Sequence, residues 1–245
     1  MVRSADGWDV DTMQGAVLLS DTCNLDLSRT THHLPPPQYC SISSYCKKYG
    51  VVFLSIISET KSPVSTFPKK WPENIGMPAF TTSETMQPTY DFETAPQLDV
   101  LIIPGGKGVF DPEPANVGKP NPAVVDPIVK FIMAQYPKLK YLFTVCTGSG
   151  IASQSGLLDG KKATAFKGAW KVIPLWRPQV QWIPKARWVV DGNVWTSSGV
   201  CSGTDLMFGF VKQIHGEKIA KDIAVWMEYN RHDDPDVDPF GVDDS

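Results

Sequence analysis

The chain has no run of lysine and arginine and no basic patch; its 23 Lys and Arg are outnumbered by 26 Asp and Glu, for a net charge of -3. Binding to a phosphate backbone needs clustered cations, so no nucleic-acid partner is expected. No apolar run approaches the roughly 20 residues of a membrane helix, so no membrane is expected either. The opening segment Met1-Val-Arg-Ser-Ala-Asp-Gly-Trp lacks the apolar core of a signal peptide. Cysteine is sparse, odd in number and scattered: Cys23, Cys40, Cys46, Cys146 and Cys201. With no CxxC and no Cys/His cluster, the sequence predicts neither a disulfide framework nor a metal site. The one histidine pair, His32-His33, reads as part of an exposed loop. Free thiols fit a reducing, cytoplasmic home. There is no internal repeat and no interdomain linker.

What is present alternates between strand and helix. Strand signals fall at Gly15–Ser20, Val51–Ser58, Leu98–Pro104 and Tyr141–Val145, with a hairpin at Trp188–Val190 and Val194–Ser197 around Asp191-Gly192-Asn193. Helical signals fall at Tyr39–Tyr49, Ala123–Tyr136, Ile151–Leu157, Gly199–His215 and Glu217–Tyr229. Residues 59–97 read as an irregular excursion with a short strand near Met86–Tyr90. The buried strands do not alternate with period two, which indicates a mainly parallel sheet covered by helices on both faces. The expected organisation is an N-terminal extension over 1–14, one α/β domain over 15–230, and an acidic tail over 231–245 that is an arm or disordered.

Ligands of such sheets bind at the carboxyl ends of the strands. Three such ends carry chemistry. The stretch Ser20–Asp26 brings a carboxylate, Pro104–Gly108 a glycine-rich turn, and Cys146-Thr147 a thiol. The last is the most informative. In Tyr141-Leu-Phe-Thr-Val-Cys146-Thr147-Gly148-Ser149-Gly150 an apolar run stops at a cysteine, and small residues lead into a helix. That is the pattern of a nucleophile elbow. A helix N-terminus at the cysteine favours thiolate over thiol. Gly105-Gly106-Lys107-Gly108 lacks both phosphate-loop spacings and reads as a tight turn offering backbone donors. Trp170, Trp176, Trp182 and Trp188 recur every six residues, which matches neither helix nor strand and reads as core or rim packing. Asp205, alone in an apolar helix, reads as a satisfied buried carboxylate.

Four motifs in this order resemble the ThiJ/PfpI family, within the class I glutamine-amidotransferase-like superfamily: Asp99-Val-Leu-Ile-Ile-Pro-Gly-Gly106, Thr144-Val-Cys-Thr-Gly-Ser149, Gly156-Leu-Leu-Asp-Gly-Lys-Lys-Ala-Thr164 and Trp195-Thr-Ser-Ser-Gly-Val200. The Cys-Thr-Gly elbow and Asn24-Leu-Asp26-Leu are most like the isocyanide (isonitrile) hydratases of that family. The resemblance implies a flavodoxin-like three-layer sandwich, usually a homodimer, acting on a small molecule without cofactor or metal. It puts Cys146 on the nucleophile, Thr147 on the residue lining the site after it, and Asp26 on the acid that touches the cysteine. Gly105 and Gly106 fall on the turn whose N–H groups face substrate. Two departures stand out. Ser28-Arg-Thr-Thr-His-His-Leu-Pro-Pro-Pro37 cannot continue the helix usual after Leu-Asp-Leu. The segment Ala165-Phe166-Lys167-Gly168-Ala169-Trp170 lacks the histidine that peptidase and amidotransferase members keep soon after the elbow, which argues against a Cys-His hydrolase. Three functions are therefore expected in descending order: isonitrile hydration; another cysteine-dependent activity such as glyoxalase-type hydration or C–N hydrolysis; and a non-enzymatic thiol sensor.

Overall fold

In the computed structural model, residues 12–18, 51–65 and 85–243 are described. The expected helix at 39–49, the His32-His33 pair, the proline-rich 34–37 stretch and Asp26 lie outside them.

A seven-stranded sheet runs through the middle of the molecule. Its strands are β1 (Thr12–Leu18), β2 (Val51–Ser58), β5 (Tyr90–Asp91), β6 (Val100–Ile103), β7 (Tyr141–Val145), β10 (Trp188–Asp191) and β11 (Val194–Ser197), in the spatial order β10-β11-β7-β6-β1-β2-β5. Every pairing is parallel except the β10–β11 hairpin. The hairpin turn is carried by Gly192 at φ 61°, the residue type that tolerates it. Two small ladders lie outside the main sheet: β3 (Val64–Ser65) with β4 (Thr85–Met86), and β8 (Lys162–Ala163) with β9 (Gln181–Trp182). Strand β1 begins at Thr12, three residues before the expected start, because Thr12–Gln14 continue the register onto Val51–Phe53.

The α-helices are α1 (Pro122–Gln135), α2 (Gly148–Gln154), α3 (Ile173–Trp176), α4 (Val200–His215) and α5 (Glu217–Trp226), beside four single-turn 3-10 segments among the described residues. Alternate residues of the central strands part to two faces. Leu101, Ile103 and Leu142 pack with Val125, Ile128, Phe131 and Ile132 of α1 and Ile151 of α2. Val100 and Phe143 pack on the opposite face with Trp188, Trp195 and Leu206 of α4. This is the mainly parallel sheet covered on both faces that the strand pattern predicts, and the flavodoxin-like three-layer sandwich that the resemblance implies. Pro122 opens α1 behind Asn121, whose side chain accepts a hydrogen bond from the Ala123 N–H at 3.2 Å. Among the described residues no helix is long and apolar enough to cross a membrane.

The described part of the acidic tail packs back on the domain. The Arg187 N–H donates to the Pro235 carbonyl at 2.7 Å, and the Asp238 N–H donates to the Lys185 carbonyl at 3.2 Å. The tail covers a buried pair: the Arg187 Nε donates to Asp205 Oδ2 at 2.8 Å. Asp205 Oδ1 accepts from the His232 N–H at 3.0 Å. Asp205 is thus the satisfied carboxylate its setting suggested. Of the four spaced tryptophans, Trp188 is core. Trp170 and Trp182 meet edge to face. Trp176 packs on Phe110 and gives its Nε1–H to the Gly118 carbonyl at 2.6 Å.

Candidate active site

The strand order places β6 between β1 and β7, so the chain reverses direction of winding beside β6. Ligand crevices of open α/β sheets lie at such a point, beyond the strand ends. The turn after β6 holds Gly105 and Gly106, and Cys146 stands at the end of β7.

Cys146 has φ 61°, a left-handed backbone that residues with a side chain rarely adopt. Its neighbours hold it there. The Cys146 N–H donates to the Ser197 carbonyl of β11 at 3.2 Å, and its own carbonyl accepts from the Phe166 N–H at 3.3 Å. Thr144 Oγ1 and Ser149 Oγ, both buried, lie 2.7 Å apart and staple the strand end to the start of α2. Thr147 Oγ1 donates to the Gly106 carbonyl at 3.0 Å and accepts from the Gly106 N–H at 2.8 Å. That double bond between the two turns is possible because Gly105 carries no side chain. A Cβ there would lie 2.6 Å from the Thr147 nitrogen and 2.8 Å from the Cys146 Cβ. The elbow, the glycine turn and the start of α2 are therefore one interlocked unit.

Two expectations change in detail. The Gly106 N–H is directed to Thr147 Oγ1 rather than left open to the crevice. Burial pushes the Cys146 thiol up to about 11, while hydrogen bonds from the Thr147 backbone and side chain draw it partly back. The sequence argument for a thiolate rested on the helix terminus. Helix α2 has only seven residues, and the loss of water around the sulfur outweighs it. Burial therefore favours the thiol over the thiolate. Cys201 is exposed and lies at the start of α4. Among the described residues no group of three or more His, Cys, Asp or Glu side chains could hold a metal ion.

Sequence reasoning noted the missing histidine in the segment bonded to the elbow and passed over its lysine. Lys167 is buried, with Nζ donating to Thr164 Oγ1 at 2.5 Å and to the Ala186 carbonyl at 2.8 Å, and lying 4.6 Å from the centre of the Trp170 ring. A lone cation among the small and apolar neighbours of Ala163–Ala169 was the available signal. Burial pushes its ammonium down to about 8 from an ordinary 10.5, against the pull of Asp238. The unfolded lysine keeps its proton to a higher pH than the folded one. Between those two values the unfolded state binds more protons, so folding stability rises with pH there. Lys167→Met abolishes this titration. Wild type should gain about 3 kcal/mol relative to the variant between roughly pH 7.5 and pH 10.5, measured by denaturant melts at both ends. A pH-independent difference would contradict the burial argument.

Comparison with known proteins agrees with this geometry. Residues 77–213, more than half of the chain, match the model of the DJ-1/PfpI family. The chain belongs to the DJ-1/PfpI family. It is 33% identical over 150 residues to isonitrile hydratase from Pseudomonas putida, a match covering 61% of this chain and 60% of that protein. It is 29% identical over 154 residues to the HTH-type transcriptional regulator GbdR from Pseudomonas aeruginosa, covering 61% of this chain and 38% of the regulator. The matches thus span less than two thirds of either relative. Among solved structures, a ThiJ/PfpI family protein from Pseudomonas syringae superposes with a TM-score of 0.63 at 23% identity, covering 95% of this chain and 82% of the other.

Proposed function

We propose that this protein is a cysteine-dependent hydro-lyase of the isonitrile hydratase type, adding water to an isonitrile to give an N-substituted formamide. The observation that carries it is the elbow: Cys146 is held at φ 61° with Thr147 bonded across to Gly106, in a chain 33% identical over 150 residues to an isonitrile hydratase. A protonated resting thiol suits the first step. The terminal carbon of R–N≡C takes both the sulfur and the thiol proton, giving R–N=CH–S–Cys146, and no atom is left over. Water then adds to the thioimidate carbon, the C–S bond breaks, and the sulfur recovers a proton as R–NH–CHO leaves. Asp26 is the proposed carrier of these protons, first as acid and then as base. Thr147 and Gly105 offer the backbone donors for the oxygen that develops on that carbon, and Gly106 acts by positioning Thr147. A homodimer in a reducing cytoplasm belongs to the same reading.

The test is direct. Purified protein is incubated separately with a simple alkyl isonitrile and with methylglyoxal, and formamide and lactate are followed. Formamide should form from the isonitrile. Asp26→Asn should lower kcat far more than it changes KM, because it keeps the shape and removes the transferable proton. Lactate without formamide would move the glyoxalase reading ahead. Neither product would favour the non-enzymatic sensor, for which the match to a transcriptional regulator is the supporting observation.

A further inference from the structure

Phe166 is bonded directly to the backbone of the nucleophile, and the proposed chemistry leaves it unused. Its N–H is bonded to the carbonyl of Cys146 at 3.3 Å. The next residue, Lys167, is fixed by its buried Nζ on Thr164 and Ala186. The Phe166 carbonyl accepts from the Ala169 N–H at 3.1 Å, closing a tight turn over Lys167–Ala169. The backbone at 166 is thus pinned on three sides. Phe166 is nevertheless 38% exposed, where its flanking residues Ala165 and Lys167 are buried. Its ring folds over Gly168: a Cβ on that glycine would lie 2.5 Å from the ring Cζ. A partly open aromatic ring, on a backbone fixed to that of the nucleophile, is what an apolar substrate group needs, since the site loses little freedom on binding.

We propose that Phe166 sets substrate specificity: its ring is the wall against which the R group of the electrophile lies, so the site selects aromatic or branched apolar substituents over small ones. For isonitriles this rests on the hydratase reading. The wall itself does not, because any electrophile reaching Cys146 would meet it.

Two assays separate the two claims. In the first, kcat/KM is compared for benzyl isonitrile and methyl isonitrile. In the second, alkylation of Cys146 by N-benzyl iodoacetamide and by iodoacetamide is compared by peptide mass mapping. Phe166→Ala should lower the benzyl-to-small ratio about tenfold in both assays, mainly through KM in the first. Gly168→Ala keeps the ring but drives it from its seat, and should lower both ratios while the protein stays folded. Leu175→Ala, at an apolar residue 76% exposed elsewhere on the surface, should change neither. A fall in the alkylation ratio without any formamide would sustain the wall and overturn the hydratase reading. Formamide production with both ratios unchanged within about twofold in Phe166→Ala and Gly168→Ala would overturn the wall.

Discussion

Gly148→Ala should destabilise the protein by about 3 kcal/mol, lowering the melting temperature by roughly 6–12 °C. A Cβ at this position would lie 2.3 Å from the Ile103 carbonyl oxygen and 2.9 Å from that of Pro104. Both atoms are backbone at the end of β6, a strand clamped between β1 and β7. No side chain can swing away to make room, so either β6 or α2 must shift. A shift of α2 would also pull Thr147 off Gly106, and Cys146 with it. Gly199 is the matched control: a Cβ there meets nothing within 4 Å, and Gly199→Ala should melt like the parent. Thermal unfolding of the two variants decides the matter. A Gly148→Ala protein within about 2 °C of wild type would show that the elbow is looser than its geometry states.

Cys146→Ser should leave the fold intact and reduce turnover on the order of 10³-fold or more. Serine has nearly the same shape and meets the same backbone constraint at φ 61°. What it lacks is a soft, readily donated S–H for the isonitrile carbon. Cys201→Ser, which alters only an exposed cysteine, should retain turnover. Steady-state formamide production, with circular dichroism as a check on folding, distinguishes the variants. Equal turnover in Cys146→Ser and the parent would remove covalent catalysis from the proposal.

The parallel sheet, the elbow and the glycine turn could be read from residue order because each depends on local chemistry. Apolar β-branched runs end in glycine or cysteine at the places where the strands stop. Boundaries followed less well. The expected helix from Ile151 in fact begins at Gly148, since the elbow glycines that read as turn residues are drawn into the first turn by packing against β6. The protonation state of Cys146 could not be read, because it is set by how much water the surrounding loops exclude. Lys167 and Phe166 were missed for a related reason. Nothing in a linear sequence says that a segment twenty residues beyond the elbow donates a hydrogen bond to it. The tail was read by its composition as a solvated arm or a disordered end. Its described part lies against the chain at 184–188 because Arg187, with a buried side chain, faces both Asp205 and Asp238.

The left-handed backbone at Cys146 also sets stability against chemistry. Any L side chain there costs about 1–2 kcal/mol relative to a relaxed backbone, and glycine alone would recover it. For folding alone, this position is better filled by the one residue that has no chemistry. Selection for a sturdier protein and selection for a reactive one therefore point to different residues at the same site. A descendant that kept the sheet and dropped the reaction would be free to relax there, and its loss of function would show as a gain in melting temperature.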